Sequence, residues 1–386
     1  MKIVFIMTSR LNTGRGTENV LLSLLRYKPE DVEAIIVEPN NLDEYRIDDD
    51  EVNSMIGNTK RLQMGFSINR YRNIVFFLFD GLITRSLFKA RKNRDFAKIK
   101  ELMVDAHLIY LFSNSLAVLF QDMYKPLIGS NHTDNLDILF RTRNYFRNFY
   151  NLYYFNLYYK NINGIHFFPR LSSKIKEIRF PNQLKYNFVL SNGIDTNLYY
   201  PKFDSENHKI KVLFVAALEK NKGVDIYIRL AKNLSKKLNI EFHIAGKGSY
   251  SEKVERESSI FYHKNLDNYA LSCLYRSCDI FLYPTRNDTF ALVVLQALSS
   301  GLFVMASDNL KGVFDDFEGR YLHYLKPNYK TFETQLKRNI ELQLIKNYSK
   351  RELFEKIKKD FDWSIISVNF FDKLRQIIND YNDTSW

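Results

Sequence analysis

The chain has 386 residues, 45% hydrophobic and 26% charged, the usage of ordinary globular domains. This excludes a disordered, collagen-like or coiled-coil chain, and the length predicts two or three domains at roughly 150 residues each. Lys and Arg number 56 against 44 Asp and Glu, a net charge of +12, and aromatics reach 15%; that balance suits nucleic acid, a membrane surface or a small anionic ligand such as a nucleotide.

The first predicted element is a strand. Residues 2–7 (KIVFIM) are a continuous apolar run, too short for a secretion signal before the polar Thr8-Ser9-Arg10. A loop with Gly14 and Gly16 follows, then a helix marked by Val20, Leu21, Leu24 and Leu25. Residues 211–215 (KVLFV) repeat the plan: the loop Lys220-Asn221-Lys222-Gly223 leads into a helix carrying Ile226, Ile228, Leu230, Ala231 and Leu234. An apolar run feeding a helix through a short loop marks a parallel strand covered on both faces. Further strands are predicted at Ala34–Val37, Leu108–Leu111, Leu127–Ile128, Phe188–Leu190, Phe242–Ala245, Ile280–Tyr283 and Phe303–Ala306. Strand–helix alternation in both halves predicts an α/β protein of two doubly wound, Rossmann-like domains. The expected division is 1–200 and 201–364, because Tyr200-Pro201 ends one pattern and a polar stretch follows. The two apolar stretches nearest to membrane length, 74–83 and 108–120, are interrupted by polar residues and read as buried elements of a soluble fold.

Residues 141–186 hold nine basic residues and one acid, +8 of the whole excess, interleaved with nine aromatics from Tyr145 to Tyr159 at steps of three and four. That predicts an amphipathic helix. Its aromatic stripe either faces a core below a solvated basic face, or meets an anionic acceptor or a peripheral membrane surface. Nucleic acid is the weakest reading, since no recognised binding motif accompanies the charge. The two cysteines, Cys273 and Cys278, cannot build a disulfide framework and match no zinc spacing; they read as half-buried thiols on one helix in a reducing, cytoplasmic setting. Asp48-Asp49-Asp50 lies in a polar stretch without His or Cys and reads as a solvated loop rather than a metal site.

In an open α/β sheet, ligands sit beyond the carboxyl ends of the strands, so the loops there are the candidates. The loop 12–18 has glycines that let the backbone approach a ligand, just before a helix N-terminus that favours an anion. Lys222, beside a helix start, is placed to bind phosphate. A tight glycine turn, Gly246-Lys247-Gly248, follows a strand. Tyr283-Pro284-Thr285-Arg286-Asn287-Asp288-Thr289-Phe290 leads into a helix near 290–300, with Asp288 and Thr289 as N-cap candidates.

In order and spacing these loops resemble those of retaining nucleotide-sugar glycosyltransferases of the GT-B fold, the large group 1 family. Ser191-Asn192-Gly193-Ile194-Asp195, Lys222-Gly223-Val224-Asp225, the run from Leu274 to Gly301 and Phe361-Asp362-Trp363-Ser364 carry the likeness. It implies two domains facing across a cleft, an acceptor-side domain 1–200 and a donor-binding domain 201–364, with the last helix, about 365–386, packing back on the first. It implies sugar transfer from a nucleotide-diphosphate sugar with retention of anomeric configuration, no metal and no other cofactor. By resemblance Gly16 approaches the donor diphosphate, Lys222 neutralises it, and Gly246, Lys247, Gly248, Asn265 and Leu266 line the nucleotide. Thr285, Arg286, Thr289, Phe290 and Ala291 belong to the donor loop and helix start, and His132 lies near the reacting sugar. Lys222, Asp288 and His132 are the expected catalytic set.

The departures are specific. Where the family carries two glutamates separated by seven residues, this chain has Asp288 and Gln296, and Gln296 retains hydrogen bonding without charge. A phosphate-binding arginine of the family is Ala217 here and its paired glycine Ala216. Arg15 or Arg286 is expected to supply the missing cation. The same departures keep open a catalytically silent partner or chaperone subunit of another glycosyltransferase. The acceptor, whether glycan, lipid-linked or protein, is not specified by these residues, nor is the nucleotide or the sugar.

Overall fold

The computed structural model describes residues 1–13, 16–40, 47–64, 97, 100–101, 103–113, 116–117, 120, 124–130, 162–169, 184–203, 209–288, 290–343 and 348–384. The chain divides into two compact units, Met1–Leu190 with Ser364–Trp386, and Ser191–Trp363.

The first unit is built on β1 (Lys2–Ile6), α1 (Gly16–Arg26), β2 (Glu33–Pro39), α2 (Asp49–Ile56), β3 (Lys60–Met64), β4 (Leu108–Leu111), β5 (Leu127–Ser130), β6 (Gly164–Phe167) and β7 (Phe188–Val189). All seven strands are parallel, in the order β3-β2-β1-β4-β5-β6-β7. Ile3 to Ile6 and Leu108 to Leu111 are fully buried, as their unbroken apolar runs require in a sheet covered on both faces. The last helix, which spans Trp363–Thr384, contributes its residues from Ser364 onward to this unit. Phe370 packs on Tyr110 with ring centroids 5.2 Å apart, Ser367 donates to the Leu24 carbonyl at 2.8 Å, and Arg375 pairs with Asp31 at 2.9 Å.

The second unit runs β8 (Lys211–Val215), α3 (Val224–Leu238), β9 (Glu241–Ala245), α4 (Ser251–Glu255), β10 (Ile260–His263), α5 (Asn268–Arg276), β11 (Ile280–Tyr283), α6 (Leu292–Ser299), β12 (Phe303–Ser307), β13 (Leu322–Leu325), α7 (Tyr329–Glu341) and α8 (Lys350–Phe361). Its six strands are parallel in the order β10-β9-β8-β11-β12-β13. Winding reverses between β8 and β11, which creates a crevice at their carboxyl ends. Segment 191–200 is tied to this unit, which places the division at Leu190/Ser191 rather than near residue 200. The Ile194 N–H donates to the Phe361 carbonyl at 2.8 Å, Ser299 Oγ donates to the Tyr199 carbonyl at 2.6 Å, and Arg276 reaches the Leu198 carbonyl at 2.8 Å.

Three expectations change. Asp48–Asp50 is not a loop: Asp48 caps α2, accepting the Glu51 N–H at 2.7 Å, and carboxylates at a helix N-terminus are favoured by its dipole. Cys278 is not on the helix with Cys273; it lies beyond the end of α5 and is buried, and desolvation pushes its thiol up to about 12. The helix expected near 290–300 is α6, which starts at Leu292 after Ala291 in a left-handed conformation. The aromatic stripe 145–159 lies outside the described residues.

Candidate functional site

The crevice side of the second sheet is formed by the turns that follow β8, β9, β10 and β11. After β8 the chain makes a short helical turn, Lys220–Lys222, closed by Gly223 at φ +85°. A side chain there is excluded: a Cβ would stand 2.1 Å from the Pro284 carbonyl oxygen. The glycine therefore lets the β8 turn lie directly on the β11 turn. The contact is hydrogen-bonded, with the Arg286 N–H donating to the Asn221 carbonyl at 2.7 Å and Thr285 Oγ1 to the same oxygen at 3.3 Å. Gly246, at φ +139°, does the same for β9, where a Cβ would meet the Ala216 carbonyl at 1.9 Å. The Leu218 N–H then donates to the Lys247 carbonyl at 2.9 Å, and Glu219 accepts from both the N–H and hydroxyl of Ser249.

Asp288 is the hub of this arrangement. Its Oδ2 accepts from Lys222 Nζ at 2.7 Å and from the Tyr283 hydroxyl at 2.5 Å, while Oδ1 accepts the Ala291 N–H at 3.2 Å. One carboxylate thus joins the β8 turn, the end of β11 and the start of α6. The Lys222–Asp288 pair is about four-fifths buried, so it is weakly screened. Tyr283 is 1% exposed; burial and then the Asp288 charge push its phenol well above the ordinary range, so it donates as the neutral form. Ala291 holds φ +56°, a strained conformation for a residue with a Cβ, at the N-terminus of α6. Phe290 is buried against Phe314.

Of the residues expected from sequence, Lys222, Thr285, Arg286, Asp288, Phe290 and Ala291 gather around the ends of β8 and β11. Gly246, Lys247 and Gly248 follow β9, and Asn265 and Leu266 follow β10, Asn265 at φ +53°. Gln296 lies one turn into α6, where its Oε1 accepts from the buried Tyr275 hydroxyl at 3.2 Å. Gly16 opens α1 in the first unit. Arg15, His132 and Thr289 lie outside the described residues. Arg286 is engaged by protein: its guanidinium makes a two-pronged pair with Asp225 at 2.7 and 2.8 Å and reaches the Lys220 carbonyl.

Sequence reasoning passed over Tyr283, Tyr275 and Asp225. The tyrosines look like strand and helix interior residues, and Asp225 was quoted only as part of a motif. It also missed a partly buried polar cluster beyond the carboxyl ends of β1 and β2, completed by Arg61 near the start of β3. There Arg61 donates to Glu38 at 2.8 Å, to Asp49 at 2.8 Å and to Asn12 at 2.6 Å, and the Leu11 N–H donates to Glu38 at 3.0 Å. Glu38 is fully buried, and this charge partner together with the backbone donor is what makes that tolerable.

In a parallel sheet of strand order 3-2-1-4-5-6 ligands sit at the reversal point, and the Lys222–Asp288 pair lies there. Residues 197–359 match the family model of glycosyl transferases group 1. The group 1 segment takes in Lys222, Asp288 and Gln296. The chain is 32% identical over 141 residues to sulfoquinovosyl transferase SQD2 of Arabidopsis thaliana, which covers 33% of this chain and 26% of that protein. It is 26% identical over 215 residues to glycogen synthase of Thermodesulfovibrio yellowstonii, covering 53% and 41%. The chain spans only about a quarter to two fifths of the length of the curated relatives it matches. Its fold is GT-B. Sucrose-phosphate synthase of Thermosynechococcus elongatus superposes with a TM-score of 0.76 at 13% identity, over 98% of this chain and 99% of that one. HepE of Anabaena, solved with UDP and glucose, superposes at 0.69 and 15% identity, over 97% and 99%. Among the described residues no helix is long and apolar enough to cross a membrane.

Proposed function

We propose that this protein is a glycosyltransferase that moves a sugar from a nucleoside-diphosphate sugar to an acceptor with retention of anomeric configuration. The observation that carries the reading is the Lys222–Asp288 pair at the reversal point of the second sheet, inside the group 1 segment. The donor diphosphate leaves as an anion, and the site must stabilise that charge where it develops. Lys222 and the N-terminus of α6 at Phe290–Ala291 supply it, with no metal required. Gly16, Arg15 and Thr289 add to the diphosphate contacts. Gly246, Lys247, Gly248, Asn265 and Leu266 border the nucleotide, Gln296 the ribose, and Asp288 with His132 the transferred sugar. The acceptor is a glycan, a lipid-linked sugar or a protein. The basic stretch 141–186 suits an anionic or membrane-borne acceptor, at the cytoplasmic face of a membrane.

Thermal-shift screening of nucleotide sugars identifies the donor, since binding raises stability with affinity. Transfer then persists in EDTA and falls by about 10²–10³-fold in Lys222→Ala. Near-normal turnover by that variant defeats the assignment. A second reading, a silent partner subunit, is favoured by Gln296 spending its carbonyl on Tyr275; donor binding with neither hydrolysis nor transfer is its signature.

A further inference from the structure

We propose that Arg286 is a positioning residue that, with Asp225, clamps the two donor-site turns together, and that it does not itself bind the donor phosphates. The proposal rests on the donor-site reading given above. Arg286 stands two residues before Asp288 and looks like a spare phosphate ligand, but three of the five N–H bonds of its guanidinium are directed to protein acceptors. Both of its terminal nitrogens bond the two Asp225 oxygens, and one of them also donates to the Lys220 carbonyl. Its own N–H donates to the Asn221 carbonyl at 2.7 Å. Its carbonyl, together with that of Thr285, accepts from Asn309 Nδ2 at 3.1 and 3.3 Å. Each of these bonds joins the β11 turn to a neighbour: Asp225 lies on the first turn of α3, Lys220 and Asn221 in the β8 turn, and Asn309 after β12. The distance so fixed is the one across which Lys222 meets Asp288. A forked guanidinium–carboxylate pair sets orientation as well as separation, which a point charge cannot.

The two roles make opposite predictions for Asp225. If Arg286 holds the turns, Asp225→Asn is as harmful as Arg286→Gln. If Arg286 binds phosphate, Asp225→Asn releases the guanidinium, and affinity is kept or improved. The experiment measures binding of UDP, GDP and ADP by calorimetry, and kcat and KM with the nucleotide sugar that wild type uses. It covers wild type, Asp225→Asn, Arg286→Gln, the double variant and Arg286→Lys, all at a temperature where circular dichroism shows them folded. We expect kcat to fall by about 10- to 100-fold in each single variant, the double to be no worse than the worse single, and Arg286→Lys to resemble Arg286→Gln. A role confined to global stability lowers the melting temperature but leaves kcat of the folded enzyme at the wild-type value, and that result overturns the proposal. So does wild-type or tighter diphosphate binding by Asp225→Asn alongside a loss in Arg286→Gln. If Arg286→Gln does not fold, Asp225→Asn and Arg286→Lys carry the same comparison. A wild type that binds none of the three diphosphates overturns the donor-site reading and the clamp with it; binding by wild type with the opposite variant pattern overturns the clamp alone.

Discussion

Gly223→Ala strikes the geometry on which the site depends. The new methyl would lie 2.1 Å from the Pro284 carbonyl oxygen, where ordinary contact begins near 3.4 Å, so the β8 and β11 turns must separate by about 1.3 Å. The residue must also hold φ +85°, which costs a side chain about 1–2 kcal/mol. Separation breaks the two bonds to the Asn221 carbonyl, at about 1 kcal/mol each. The expected destabilisation is about 3–4 kcal/mol, which for a unit of this size lowers the melting temperature by roughly 6–16 °C. Lys222 moves with the turn, and an error of about 1 Å at a charge-stabilising group costs about 10²-fold in turnover. Calorimetry and initial rates, the latter taken at a temperature where both proteins are folded, measure the two effects. A melting temperature within about 2 °C of wild type together with turnover within about threefold would refute the argument.

Other outcomes follow from the same contacts. Tyr283→Phe removes the 2.5 Å bond to Asp288 while leaving Lys222 paired; unfolding in urea should show a loss of about 1.5–3 kcal/mol, and a change below about 0.5 kcal/mol would mean the phenol does not anchor the carboxylate. His166, in the core of the first unit, bonds the Tyr110 hydroxyl at 2.7 Å and the Leu190 carbonyl at 3.0 Å, and burial lowers its pKa to about 4. A depressed histidine gives its full stability above the unfolded value near 6.5 and loses it as pH falls toward 4, here about 3 kcal/mol. His166→Gln should therefore narrow the stability gap to wild type across that window, and a gap independent of pH would contradict the buried neutral histidine.

The strands that were legible in the sequence are those whose apolar runs are continuous, such as β1, β8 and β11. Their two covered faces leave no place for a polar residue. Those that were missed are shorter or mixed. β3 reads KRLQM and pairs only with β2, so it forms one edge of its sheet; its Arg61 is polar because Glu38 needs it. β10 reads IFYH and β13 reads LHYL, both edge strands with partly exposed faces. β6 was hidden within the basic, aromatic stretch, although its four residues are all buried.

The loops at the strand carboxyl ends were legible because each continuous apolar run ends in a turn and the glycine and lysine motifs fall there in order. What each charge does was not legible, because pairing is decided across the fold. Arg286 and Asp225 are 61 residues apart and Lys222 and Asp288 are 66 apart, yet each pair sits within 2.7 Å. From the loop alone, Arg286 and Lys222 are equivalent cations beside a helix start. In the structure they differ in what holds them. Arg286 faces a carboxylate in a two-pronged pair that also ties down two turns, so moving it to a ligand would break the frame of the site. Lys222 bonds Asp288 through one flexible amine, and Asp288 keeps Tyr283 and the Ala291 N–H if that amine turns to a phosphate. If Arg286 is held as proposed, it does not stand in for the cation absent at Ala217, and the proposed diphosphate site then relies on Lys222, Arg15 and the start of α6.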